Sequence, residues 1–189
     1  MLLEHTARTD APLSRILRGE MGLSSGLIGR LKYRSALLVN GRPEHTNYPV
    51  RPGDRIGVQL LEPEPNYPAE SGPLHILYED SALIAVDKPP GMLVHPSRAR
   101  NTGTLANRLL DHYRATGQDS AVHPVTRLDR DTFGVVLLAK NSHVHALLCQ
   151  QQLAGSFQKA YHALVLGAPQ AQEIALPILR PDPMSMLRC

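Results

Sequence analysis

Two hydrophobic periods divide the chain into elements. Leu13, Ile16 and Leu17 recur at helical spacing after Asp10 and Pro12, which predicts a helix capped by Asp10 and ended by Gly22. Leu27, Ile28 and Leu31 repeat that spacing behind Ser24 and Ser25, either of which can cap a second helix. The period then shortens. ALLVNGR, residues 36–42, reads as a strand entering an Asn-Gly turn, and VRPGDRIGVQL, residues 50–60, as a Pro-Gly-Asp turn followed by an alternating strand. Two helices and a small sheet are expected over residues 1–60.

The pattern breaks at LEPEPNYPAESGP, residues 61–73, where prolines and small or acidic residues disfavour both helix and paired strand, so a linker is expected there. Beyond it, HILYEDSALIAVDKPPGMLVHPS reads as strand, turn, strand, tight Pro-Pro-Gly turn and an extended piece. GTLANRLLDHY is a short helix and FGVVLLAK a strand. SHVHALLCQQL is a helix with Val144, Leu147 and Leu148 at helical spacing, and FQKAYHALVLG is a further strand. The predicted fold class is α+β: a small, helix-rich N-terminal module, then a mixed, mainly antiparallel sheet with flanking helices over residues 74–189.

Composition narrows the function classes. With 189 residues, 42% of them hydrophobic, the chain can form one ordinary domain or a small one plus part of another. Cys149 and Cys189 make neither a disulfide framework nor a metal-type pairing. No signal-type apolar segment and no membrane-spanning run is visible, so a reducing cytoplasm is the expected location and a monomer the expected state. His143 and His145 would face different sides of a helix without a third ligand at suitable spacing, which argues against a metal site. Cys149 is expected in the core and His95 and His123 in loops, while Lys88, in DKPPG, could contact phosphate or simply sit on an exposed turn.

Charge is unevenly distributed. Through Glu62 there are nine Lys and Arg against six Asp and Glu, a surplus of three, whereas residues 63–189 hold eleven of each. Between Arg15 and Arg42 six cations face one acid, Glu20. Such a surface attracts a phosphate backbone, although a merely solvated helix face has the same composition.

The most concentrated chemistry lies in RLDRDT, residues 127–132. In an extended chain Arg127, Asp129 and Asp131 would point to one side and Arg130 to the other, pairing a carboxylate with a guanidinium that keeps Asp129 ionised. That carboxylate could be a nucleophile, a general base or a metal ligand, or the ion pairs could simply tie a loop to a sheet edge. Spacing leaves these alternatives open.

The wording of these segments is more specific. RLDRDTFGVVLLAKN resembles the signature of the RluA family of pseudouridine synthases, in which Arg-Leu-Asp precedes a Thr, a Gly and a hydrophobic strand. ILYEDSALIAVDKPPGMLVHPS is similar to that family's first strands and Lys-Pro-x-Gly turn, GTLANRLLDHY to its following helix and FQKAYHALVLG to its second motif. LSSGLIGRLKYRSALLVNGRPEHTNYPVRPGDRI resembles the small RNA-binding module shared by a ribosomal small-subunit protein, bacterial tyrosyl-tRNA synthetases and several RNA-modifying enzymes.

The resemblance implies conversion of uridine to pseudouridine in structured rRNA or tRNA, without cofactor or metal. Asp129 would break the glycosidic bond, Arg127 would fill the gap left by the flipped nucleotide or contact its phosphate, and Tyr161 would stack on the base. Arg15, Arg30, Lys32 and Arg34 would grip RNA electrostatically, with base stacking a minor contributor in a region of few aromatics. Thr132 and Gly134 would shape the turn that aims the loop.

Three departures from the family pattern stand out. Thr126 replaces a common His, and Phe133 a common Ser or Thr, with Phe133 expected to pack beneath the loop. The chain also stops at LPILRPDPMSMLRC, where relatives continue to an arginine motif that pairs with the catalytic aspartate. The expectation is a shortened catalytic domain with weak or no turnover by these residues alone. A different class, a non-catalytic RNA-binding protein that kept its basic module, is the alternative.

Overall fold

The first core is built by the helical stripes. In the computed structural model, which describes residues 1–97, 99–168 and 170, α1 spans Leu13–Gly19 and α2 spans Ser25–Leu31. They bury Leu13, Ile16 and Leu17, and Leu27, Ile28 and Leu31 respectively. The Ser24 side chain accepts a hydrogen bond from the Leu27 N–H at 3.2 Å, satisfying one orphan donor of α2. Asp10 does not cap α1. Its N-cap is Pro12, with no side-chain cap, because residues 11–12 form a short strand, β2 (Ala11–Pro12), paired with β5 (Pro49–Val50).

Below the helices lies an antiparallel sheet of β1 (Leu2–Thr6), β6 (Arg55–Gln59), β3 (Leu37–Val39) and β4 (Arg42–Pro43), in that order. Asn40 and Gly41, at φ 51° and 81°, make the left-handed turn between β3 and β4 that the Asn-Gly pair predicts. The periodicity reading passed over β1, which is half-buried and pairs only at the sheet's edge. With it included, strands carry more of this region than its two seven-residue helices, so the module is sheet-rich and not helix-rich.

A second core gathers residues between Tyr67 and Leu138. Its sheet is antiparallel, ordered β7 (His75–Glu79), β8 (Leu83–Lys88), β10 (Gly134–Ala139), β9 (His123–Pro124). Helix α3 (Leu105–Ala115) covers one face. Thr104 and Asn107 close its N-terminus as a reciprocal capping box, and Leu105, Leu109, Leu110 and Tyr113 enter the core. Helix α4 (Ser142–Leu153), capped by Asn141, buries none of its residues fully. Cys149 is therefore half-buried, its Sγ 3.6 Å from His145 Nε2, and not a core side chain.

Residues 61–73 lack helix and strand but are not free. Glu62 accepts hydrogen bonds from the Ser142 N–H at 2.7 Å and pairs with His123 Nε2 at 3.0 Å. Tyr67 is buried edge-on against His95, Glu70 accepts from the Gly103 N–H, and Arg108 donates to the Pro73 carbonyl at 2.6 Å. The segment is a strap across α3. His123, expected in a loop, lies in β9 because its backbone pairs with Ala139.

The described residues divide into a compact unit, Met1–Phe157, and a second beginning at Gln158. In the second, residues 158–167 carry bends but no strand, so the strand expected over FQKAYHALVLG is absent there. A strand exists only through its ladder, and among the described residues no sheet edge pairs with this segment. All of LPILRPDPMSMLRC, Cys189 included, lies outside the described residues.

Candidate active site

Strand β8 alternates half-buried and buried positions, so Ile84, Val86 and Lys88 all point inward. The third is a lysine with no exposed surface. Burial pushes its ammonium below the ordinary lysine value, opposed by the nearby charges of Asp131 and Asp129. Its three protons have three acceptors: the carbonyls of Pro89 at 2.9 Å, Met92 at 2.8 Å and Arg130 at 3.0 Å. Lys88 is thus not the exposed turn residue expected from DKPPG. It stitches that turn to residue 130, next to Asp129.

The segment 125–133 is the connection between β9 and β10, not an extended strand. Both of its ends are held. The Val125 and Thr126 N–H groups donate to the Leu137 carbonyl, and Thr126 Oγ1 accepts from the Leu137 N–H at 3.0 Å, so Thr126 anchors the loop through its hydroxyl. At the far end Gly134 sits opposite Lys88 in the β8–β10 ladder with φ 115°, a conformation that a side chain disfavours. Between these anchors Leu128 packs against the second core, while Arg127 and Asp129 are exposed.

Charge within the loop differs from the strand-based expectation. The ion pair joins neighbours Arg130 and Asp131, Nη2 to Oδ2 at 3.0 Å, and not Arg127 to Asp129. The guanidinium's hydrogen bond holds the Asp131 carboxyl below its usual range. Among the described residues Asp129 has no hydrogen-bond or ion-pair partner, because the connection curves away from the alternation that would have set Arg127 beside it. An exposed carboxylate on a loop anchored at residues 126, 130 and 134 can approach an electron-poor carbon or accept a proton.

Phe133 does not pack beneath the loop. It is 72% exposed, and the backbone turn at Gly134 carries it outward. Tyr161 is exposed on a stretch without secondary structure, in the unit that starts at Gln158. The signal that identifies Lys88 was present in its strand's alternation: a charged residue in the buried phase needs dedicated acceptors.

In the first core region Arg15, Arg30, Lys32 and Arg34 are all exposed, and none has an acidic partner among the described residues. The single acid of that stretch is committed elsewhere. Glu20 takes hydrogen bonds from His5 Nε2 at 2.6 Å, the Arg8 N–H, and the Thr9 N–H and hydroxyl. The His5 bond, with the Thr9 bonds after it, draws its carboxyl down to about 2. Glu20 thus keeps its negative charge but makes no direct ion pair with these cations, and the stretch keeps a net positive field.

A family model described as RNA pseudouridylate synthase matches residues 82–185. The chain belongs to the pseudouridine synthase family. It is 38% identical over 152 residues to the uncharacterized RNA pseudouridine synthase YjbO of Bacillus subtilis, across 79% of this chain and 54% of that one. It is 38% identical over 186 residues to an uncharacterized RNA pseudouridine synthase of Chloroflexus aurantiacus, across 96% and 58%. Ribosomal large subunit pseudouridine synthase D of Pseudomonas aeruginosa is 36% identical over 125 residues, across 62% and 39%. The chain spans about half the length of the curated relatives it matches. A solved structure of human RNA pseudouridylate synthase domain containing 4 overlays with a TM-score of 0.36 at 24% identity, over 43% of this chain and 30% of that one.

Proposed function

We propose that this pseudouridine synthase isomerises uridine to pseudouridine in structured ribosomal or transfer RNA in the cytoplasm, with Asp129 as the catalytic carboxylate. The observation that carries this reading is the exposed, unpaired Asp129 on a loop whose next carbonyl is held by buried Lys88.

The reaction is an isomerisation and is balanced without a co-reactant. Asp129 attacks the anomeric carbon or assists elimination in the ribose, and the bond from that carbon to N1 of uracil breaks. The freed base turns, carbon five bonds to the anomeric carbon as the bond to Asp129 breaks or, after elimination, as the ribose regains its proton, N1 takes a proton, and the proton on carbon five leaves to solvent, which restores the Asp129 carboxylate. Arg127, also exposed, occupies the space vacated by the flipped nucleotide or meets its phosphate. Tyr161 stacks on the extruded base.

Residues 1–60 serve as the RNA-binding module, residues 61–73 as the joining strap, and residues from 74 onward as catalytic domain. The exposed cations Arg15, Arg30, Lys32 and Arg34, none of them ion-paired with Glu20, support this division. The synthase acts as a monomer and needs no metal.

Tritium release from RNA labelled at carbon five of uridine, measured with these 189 residues and with Asp129→Asn, tests the proposal. Weak release by the first and none above background in the second, with RNA binding and folding unchanged, is expected. Equal release from both would overturn the role of Asp129. RNA binding with no release from either would favour the non-catalytic reading.

A further inference from the structure

Helix α2 ends in a turn that holds an aromatic ring in water. Tyr33 is 82% exposed, and Lys32, Arg34 and Ser35 around it are exposed as well. Leu31 and Ala36, which bracket the four, are buried. The Arg34 N–H donates to the Leu31 carbonyl at 3.0 Å, and the Ala36 carbonyl accepts from the Gln59 N–H at 2.8 Å, so both ends of the turn are fastened to the fold. Ser35 closes it at φ 52°, a left-handed conformation that costs a non-glycine residue conformational energy. The result is a hydrogen-bonded tip with its side chains outward.

Cations at a helix C-terminus can be explained by the macrodipole alone. An exposed tyrosine cannot. The Lys32 ammonium lies 4.5 Å from the centre of the Tyr33 ring, on one face, and the ring's exposure leaves its opposite face bare. Arg30 and Arg34, three residues before it and one after, are exposed without acidic partners among the described residues. A flat, bare ring backed by a cation, on a turn that also carries two exposed arginines, suits one ligand chemistry well: an unpaired nucleobase whose adjoining phosphates meet the arginines.

We infer that Tyr33 is a base-stacking residue, and that the tip formed by Arg30, Lys32, Tyr33 and Arg34 binds an unpaired nucleotide of the RNA. This rests on the reading of the chain as an RNA enzyme and adds to it a second contact with the substrate. It adds stacking at one residue to a region whose few aromatics predict mostly electrostatic binding.

Binding of the full chain to two hairpin RNAs, one with a single-nucleotide bulge and its fully paired counterpart, tests the inference at several salt concentrations. The wild type is expected to prefer the bulged hairpin. Tyr33→Ala should weaken that binding about 5- to 100-fold, leave the paired hairpin nearly unaffected and keep the salt dependence unchanged. Tyr33→Phe should bind within about twofold of the wild type, since the ring is kept. Arg34→Ala should weaken both hairpins alike and lower the salt slope by about one. Unchanged binding by Tyr33→Ala, or an equal loss on both hairpins, would overturn the stacking role while leaving the RNA enzyme reading in place. Failure of the wild type to bind either hairpin at low salt would overturn both.

Discussion

The Nζ of Lys88 donates to the carbonyl oxygen of Arg130 at 3.0 Å, across 42 residues of sequence. This bond makes a loop position as well defined as a strand end. The lysine's remaining protons go to Pro89 and Met92, so one buried cation ties the Pro-Pro-Gly turn to the loop that carries Asp129. Its charge is offset at longer range by Asp129 and Asp131, which oppose the effect of burial on its pKa.

Replacing Lys88 with Met keeps most of the volume and removes every donor. Three carbonyls then lose their partner, and a loss of about 2–4 kcal/mol is expected in urea unfolding. Hydrogen exchange in residues 126–133 should rise more than in α1 or α2. Turnover should fall even where the folded fraction is restored by low temperature, since Asp129 would no longer be aimed. Exchange in that loop identical to wild type would show that the lysine does not hold it.

Gly134 tests the other anchor. A Cβ there meets no atom within 4 Å, so Gly134→Ala introduces only the backbone penalty of φ 115°. We expect a loss of about 1–3 kcal/mol. A variant as stable as the wild type would mean that the loop can leave β10 in another conformation.

A polar clasp lies at the other end of this sheet and should give the domain an acid limit. Burial raises the Glu79 pKa, but hydrogen bonds from Lys140 at 2.7 Å, Gln118 and His112 outweigh it and bring the carboxyl to about 2, from an ordinary 4.5. A depressed carboxyl stabilises the fold fully above its unfolded value and loses that contribution as pH falls from 4.5 toward 2. Lys140→Met leaves Glu79 without its cation, which should cost about 3–5 kcal/mol at neutral pH. The difference in stability between wild type and variant should shrink as pH is lowered through that window. A difference independent of pH would remove Glu79 from the account.

Most elements were legible in the chain because their hydrophobic period and their caps are local. Ser24, the Asn40-Gly41 turn and the alternation of β8 and β10 needed only neighbouring residues to be recognised. The misreadings share one cause. Asp10 was displaced as a cap by the pairing of β2 with β5, Phe133 was turned outward at Gly134, and FQKAYHALVLG has a strand's composition without a paired neighbour among the described residues.

The sequence alone determined the family, through the wording of RLDRDTFGVVLLAK and the motifs around it, and it located the surplus of positive charge in the first third. The tertiary structure decided which charges meet. It joined Arg130 to Asp131, committed Glu20 to His5 and Thr9, and enclosed Lys88 beneath the loop. Side-chain period follows from bonds between adjacent residues, but an ion pair or a buried donor depends on segments brought together only when the sheet closes.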